Sequence, residues 1–295
     1  MTFEQLAIFV AVADRAHLTR AAEALHLMPS AVSSALRALE SYYGVTLFDR
    51  VSRGLVFNEN GRLFPGEATA VLKRAEGAWL VLAELGGLRR GRLTVAASQT
   101  IAGYWLPSFM MRFHELYPGI DLVLTIGNTA TVASAVVAGE ADLGFIEGQV
   151  DNQALAVEGI AQDALLVVVG ADHPWADGRP LQVEDLAAGS SLVLREHGSG
   201  TRSEFEAALL ARGLSPDRLK VTLELPSNEV VLSAARSGAC AAVVSASVAA
   251  PLLGQGDLVA VNFALPDRAY SLLHHRERPL SRSASKLVRL CREPL

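Results

Sequence analysis

Apolar residues in the first ninety positions recur at helical spacing, and the polar positions between them are unevenly distributed. Phe3, Leu6, Val10 and Ala13 line one side of a helix over 3–15, and Ala21, Ala22 and Leu25 give a second helix over 18–25 a small, close-packing side with Thr19 as its N-cap. A short joint over 26–28 leads to a third helix over 29–43, with Pro29 in the first turn, where no N–H is required, and Gly44 as its stop. In this third helix Val32, Ala35, Leu36 and Leu39 form an apolar stripe. Ser30, Ser33, Ser34 and Arg37 repeat the same spacing roughly 200° round the axis. Small hydroxyls beside one Arg allow a helix to approach a phosphate-lined groove closely, whereas a merely solvated face carries long charged side chains. Two short helices, a tight joint and a donor-faced helix make a helix-turn-helix unit.

The run VTLFDRVSRGLVF, 45–57, has the pattern of a small hairpin centred on Gly54. Arg50 and Arg53 flank its turn, either as ordinary surface arginines or as contacts to phosphates or the minor groove. From Phe64 a seam steps through Ala68, Val71, Ala75, Ala78, Leu82 and Leu85, alternating four and three residues. A heptad seam with Ala at three positions suits a closely paired helix; packing on its own domain is the alternative. Pro65 and Gly66 predict a kink or restart near that point. Gly86, Gly87 and the basic run from Arg89 to Arg92 read as a hinge.

Beyond the hinge the period changes. Strand-like runs at 93–97, 121–126, 143–147, 165–170, 191–195, 220–225, 241–245 and 258–261 alternate with helical ones at 100–117, 129–138, 183–187, 201–212, 228–237 and 246–253. Such alternation predicts an α/β fold, and its two sets predict two similar subdomains.

Composition agrees with a chain of about two domains. It has 295 residues, 51% hydrophobic and 19% charged. Its net charge of −5 at first argues against nucleic acid, but residues 1–90 hold 10 Lys and Arg against 9 Asp and Glu, while the remainder holds 16 against 22. Any basic stripe must therefore come from arrangement. Two cysteines, Cys240 and Cys291, support neither a disulfide framework nor a cysteine zinc site and read as buried thiols. The N-terminus carries an early Glu and no basic region, unlike a signal peptide, so a cytoplasmic protein without cofactor or metal is expected.

Ligands in open α/β sheets sit beyond the carboxyl ends of the strands. Those corners read ASQT (97–100), GNT (127–129), EGQ (147–149), REHGSGTR (195–202) and PSNE (226–229), each rich in hydroxyls, amides or Gly. Any one of them alone is explained by helix capping. In the fourth, Gly198 and Gly200 bracket Ser199, Thr201 adds a hydroxyl and Arg202 a charge, a set suited to a small anion. It is not a phosphate loop of the GxxxxGK[ST] type, Ser199 lacks a nucleophile elbow, and His197 has no assignable acid partner. No paired catalytic residues support an enzyme.

The run LTRAAEALHLMPSAVSSALRALESYYGVTLFDRVSRGLVFNENG resembles the N-terminal signature of LysR-type transcriptional regulators over about sixty residues. Met28 and Pro29 stand where that family most often has Ser or Thr and then Gln. The usual cap and that Gln's contact are therefore not carried over. The C-terminal segments SQTIAGYWLP, GNT, ADLGFIEG and LREHGSGTR resemble a LysR subgroup, with Gln99 for the commoner Ser or Thr and His197 for Pro.

The resemblance implies a winged helix-turn-helix domain over 1–58, a dimerising linker helix over 59–88 and a periplasmic-binding-protein-like effector domain over 89–295, whose first subdomain spans about 91–163 and 268–295 and whose second spans about 164–267. It implies contacts to double-stranded promoter DNA from Thr19, Ser30, Ser33, Ser34, Arg37, Arg50 and Arg53. It also implies a small effector, such as a sulfur oxyanion or another small anion, among Ser98, Gln99, Thr100, Asn128, Thr129, Glu147, Ser199, Gly200, Thr201 and Arg202. A homodimer, assembled further as a dimer of dimers, and RNA polymerase are the remaining partners it implies. A solute-binding protein with an N-terminal interaction domain is the competing reading; it would bind ligand without DNA.

Overall fold

The computed structural model describes residues 1–51, 54–85 and 91–293. The chain divides into two compact units, Met1–Leu88 and Arg89–Leu295.

In the first unit, α1 (Phe3–Arg15), α2 (Leu18–Leu25) and α3 (Pro29–Tyr43) precede a hairpin of β1 (Phe48–Val51) and β2 (Gly54–Phe57), and α4 (Glu59–Leu85) follows. Thr2 caps α1 in a reciprocal box with Gln5. The cap of α2 is His17, whose ring accepts from the Thr19 N–H at 3.2 Å, and not Thr19 as the sequence suggests. Imidazole nitrogen one residue before the helix does there what a hydroxyl would do. Val32, Leu36 and Leu39 of α3 are buried with Phe9, Val12 and Ala22 in one core.

α4 runs unbroken through Pro65, so the expected restart there is absent. Pro65, the seventh residue of α4, lacks the N–H that would reach the Gly61 carbonyl, and the helix continues past that one missing hydrogen bond. The seam divides: Ala68 is buried and Phe64 packs against the same core, while Val71 and Ala78 are exposed. The side chains of Leu82 and Leu85, and the hinge residues 86–90, lie outside the described residues.

The second unit has two five-stranded sheets. The first holds β3 (Gly91–Ser98), β4 (Ile120–Gly127), β5 (Leu143–Glu147), β6 (Leu155–Asp163) and β12 (Arg268–His275) in the order β4-β3-β5-β12-β6. β3 is parallel to β4 and β5, and β12 is antiparallel to β5 and β6. On this sheet lie α5 (Gln99–Tyr104), α6 (Leu106–Leu116), α7 (Thr129–Val137) and α12 (Arg282–Arg292). The single helix expected over 100–117 is two, broken at Trp105, because Pro107 lacks the N–H that a continuous helix would use.

The second sheet holds β7 (Leu165–Gly170), β8 (Leu192–Arg195), β9 (Val221–Leu225), β10 (Ala241–Ser245) and β11 (Leu258–Ala260) in the order β11-β7-β10-β8-β9. α8 (Val183–Ala188), α9 (Gly200–Ala211), α10 (Asn228–Arg236) and α11 (Ala246–Gln255) pack on it. The chain crosses between sheets twice, from β6 to β7 at 163–165 and from β11 back to β12 at 260–268. β6 and β12 have no counterpart among the strands expected from sequence. β6 is a half-exposed edge strand interrupted by Glu158 and Gly159, so its apolar alternation is weak.

Candidate functional site

On α3 of the first unit, burial of Val32, Leu36 and Leu39 turns Ser30, Ser34 and Arg37 to solvent, with Ser33 half-buried. The Arg37 guanidinium folds back on its own helix, donating from Nε to the Ser33 carbonyl at 3.2 Å. Thr19 is exposed on α2. Met28, at the N-cap of α3, gives no side-chain hydrogen bond and is 71% exposed. Arg50 lies on β1, opposite Leu55; its side chain, and Arg53 altogether, fall outside the described residues.

In the second unit the corners marked in the sequence converge where the two sheets face each other. Ser98, Thr100, Thr129, Glu147, Ser199 and Thr201 are all buried. The Ser98 hydroxyl donates to the Glu147 carboxylate, and Thr129 Oγ1 donates to the Glu147 carbonyl at 2.6 Å. The approach is close enough that a Cβ on Gly200 would overlap the same carbonyl, so α9 can begin against β5 only with glycine there. Gly148 and Gly198 have φ of +85° and +90°, the left-handed region, which frees their loops to turn toward each other.

Contacts cross the cleft along its length. Gln99 Nε2 donates to the Pro226 carbonyl at 2.7 Å, and Gln99 Oε1 accepts from the Asn228 N–H at 3.2 Å. Asn128 Nδ2 donates to Glu196 at 3.1 Å, and the Ala130 N–H to the Gly198 carbonyl at 3.2 Å. Burial raises the pKa of Glu196, but hydrogen bonds from Arg195 and Asn128, with the Arg195 charge, outweigh it and leave the carboxyl below its ordinary range.

Arg202 does not join the cluster. Its guanidinium donates to Glu206 at 2.7 Å, to Glu224, and to the Arg195 carbonyl at 3.2 Å, so two carboxylates already neutralise it. The adjacent His197 is exposed, with its ring 3.7 Å from Glu224.

One buried cation at the cleft lies outside the corners marked in the sequence. Arg268, at the start of β12, donates from Nε and Nη2 to Asp163 Oδ2 at 2.9 and 2.7 Å and from Nη1 to Thr201 Oγ1 at 2.9 Å, and lies 3.9 Å from Glu147. Ser245 donates to Asp163 Oδ1 at 2.8 Å. Both charged residues occupy the crossovers between sheets, where no local motif marks them. Tyr270 stands beside them; among the described residues its hydroxyl is the buried side-chain polar atom without a hydrogen-bond partner. Burial, then the nearby Asp163 charge, pushes its pKa far up. Arg195 and Asn228 complete the set, within corners that the sequence did mark.

Among the described residues no group of three or more His, Cys, Asp or Glu is placed to hold a metal, and no helix is long and apolar enough to cross a membrane. Cys240 and Cys291 are free and buried, and burial pushes the Cys291 thiol up to about 12.

Residues 3–62 match the bacterial regulatory helix-turn-helix protein family of lysR type, and residues 86–295 match the LysR substrate binding domain. The chain is 35% identical over 293 residues to the uncharacterized HTH-type transcriptional regulator YeiE of Escherichia coli K12, covering 99% of this chain and 97% of that one. The fold is similar to full-length CbnR complexed with its target DNA, with a TM-score of 0.72, 23% identity and 99% of each chain covered. It is also similar to the Synechocystis PCC6803 CcmR regulatory domain in complex with 2-PG, with a TM-score of 0.63 and 23% identity over 69% of this chain and 96% of that one. With both family models matched in order and a relative aligned along nearly the whole length, this chain belongs to the LysR family: it is a DNA-binding transcriptional regulator with a substrate-binding domain for an effector, and not an enzyme.

Proposed function

We propose that the effector is a small oxyanion held between the two subdomains of the second unit, and that its occupancy biases how the first unit engages promoter DNA. The observation that carries this reading is the burial, within one cleft, of five hydroxyls from three chain segments: Ser98 and Thr100, Thr129, and Ser199 and Thr201. Polar groups are buried in such numbers where they meet one another or a polar guest. Ser199 caps α9 in position, but its hydroxyl oxygen accepts from no N–H of that helix, so the first-turn donors of α9 remain for an acceptor ligand. The complex named for the CcmR domain is a precedent for a small ligand on this fold.

DNA contacts are assigned to Thr19, Ser30, Ser33, Ser34 and Arg37, with Arg50 and Arg53 on phosphates. Two chains pair through the exposed part of the α4 seam, around Val71 and Ala78. Coupling requires that the effector bind one arrangement of the paired chains more tightly than another.

Calorimetric titration of the whole protein with sulfate, thiosulfate and phosphate tests the site. Thr201→Ala is expected to weaken binding and Arg202→Ala to leave it nearly unchanged. Wild-type affinity in Thr201→Ala, or no binding of any oxyanion to the wild type, would refute the site.

A further inference from the structure

The hydroxyls of the cleft are sorted by polarity through the buried groups behind them. Arg195 lays its guanidinium edge on Glu196, with Nε and Nη2 at 2.8 and 3.1 Å from the two carboxylate oxygens, and turns Nη1 to Asn228 Oδ1 at 2.8 Å. A guanidinium can only donate, so the Asn228 amide is oriented with its oxygen toward Arg195 and its nitrogen away. That nitrogen donates to Thr100 Oγ1 at 3.2 Å. The second path is one step shorter, because Arg268 Nη1 donates directly to Thr201 Oγ1 at 2.9 Å. Both threonine oxygens are thereby engaged as acceptors. Among the described residues neither hydroxyl donates its own hydrogen to a protein group, although Thr100 and Thr201 are at most 1% exposed.

We infer that Arg195 with Asn228, and Arg268, are positioning residues that fix Thr100 and Thr201 as hydrogen-bond donors to the effector, so that the site selects an oxyanion whose facing oxygens carry no proton. This rests on the oxyanion reading above and specifies the protonation state that the reading leaves open. Ser98 and Thr129 are set the opposite way: each spends its hydrogen on Glu147 and leaves only oxygen lone pairs free. Selectivity for an unprotonated oxyanion therefore falls to the two threonines backed by arginine.

Asn228→Asp tests the relay with little change of shape. An aspartate keeps an oxygen for Arg195 and adds a charge opposite a buried cation, so folding is retained. It cannot donate to Thr100, whose hydroxyl then turns its hydrogen to the new carboxylate and offers the ligand a lone pair. The probes are inorganic sulfate, acceptor-only at neutral pH, and inorganic phosphate, which retains a proton there.

The wild type is expected to bind sulfate more tightly than phosphate. Asn228→Asp should lose about tenfold or more in sulfate affinity, the scale of one hydrogen bond to a charged group, while losing less for phosphate. Asn228→Ala, which leaves the Thr100 hydroxyl free to rotate, should fall between. Thr100→Val should match Asn228→Asp for sulfate, and the double variant should be no weaker than either single one.

Equal losses for sulfate and phosphate in Asn228→Asp, or additive losses in the double variant, would overturn the relay while leaving oxyanion binding intact. A wild type that binds neither anion would overturn the oxyanion reading, and the relay with it.

Discussion

Arg268 and Asp163 form a buried ion pair that joins the two crossovers of the second unit, with side chains 1% and 2% exposed and a closest approach of 2.7 Å. Removing one partner of such a pair leaves an uncompensated charge in a low-dielectric interior. Arg268→Ala should destabilise this unit by about 3–5 kcal/mol, measured by urea unfolding. Replacing both, as Arg268→Met with Asp163→Leu, should recover most of that loss. Equal instability of the double variant would show that the Thr201 and Ser245 contacts, rather than charge compensation, dominate.

Glu196 binds Arg195 through both carboxylate oxygens and Asn128 across the cleft. Its pKa is depressed in the folded protein, so the unfolded chain takes up the proton first as pH falls. The stabilisation is complete above the ordinary glutamate range and is lost as pH drops through the folded value. Thermal melts of wild type and Glu196→Gln should therefore differ at neutral pH, and the gap should narrow as the pH falls below the ordinary glutamate range. A constant gap across that range would argue that the carboxylate contributes nothing.

Gly200→Ala places a methyl group against the Glu147 carbonyl and near Thr129. Backbone meets backbone here, so no side chain can swing away. A loss of about 1–3 kcal/mol is expected, together with faster proteolysis at the cleft. Wild-type stability would mean that the subdomains separate here without strain.

Arg37 is exposed on α3, with its guanidinium donating to the Ser33 carbonyl. Arg37→Ala should weaken specific DNA binding by about 1–3 kcal/mol with less effect on unrelated sequences, measured by gel-shift titration. A uniform loss on all sequences would make it a phosphate contact instead.

Met28 occupies the N-cap of α3 without a side-chain hydrogen bond. Met28→Ser supplies the missing acceptor and should raise stability of the first unit by about 0.5–2 kcal/mol, read from its melting transition. No gain would indicate that the cap N–H groups are already well solvated.

The first three helices are legible residue by residue because their signals are local. Apolar residues three and four apart, Pro29 at a helix start and Gly44, with φ +66°, at its end specify α3 without reference to the rest of the chain. The strands at 143–147, 165–170 and 241–245 were equally legible, since each is a short apolar run bounded by polar corners. Thr100–Tyr117 reads as one helix in the sequence because its apolar period continues across the break that Pro107 imposes. β6 and β12 escaped because edge exposure in one and a mixed polar end in the other blur the alternation.

The cleft divides in the same way. Its hydroxyl and amide corners could be read from sequence, because residues at strand ends and helix starts share a few adjacent positions. Arg202 could be read as an available cation only because Glu224, 22 residues away, is invisible to local spacing. Arg268 and Asp163, 105 residues apart, had no signal at all. The order of amino acids sets the helices, most strands and the donors at each corner, through contacts within a few residues. Which charges remain unspent, and which hydroxyls are left with a hydrogen to give, is decided only when the two crossovers bring distant side chains into one water-poor space, where each must find a partner.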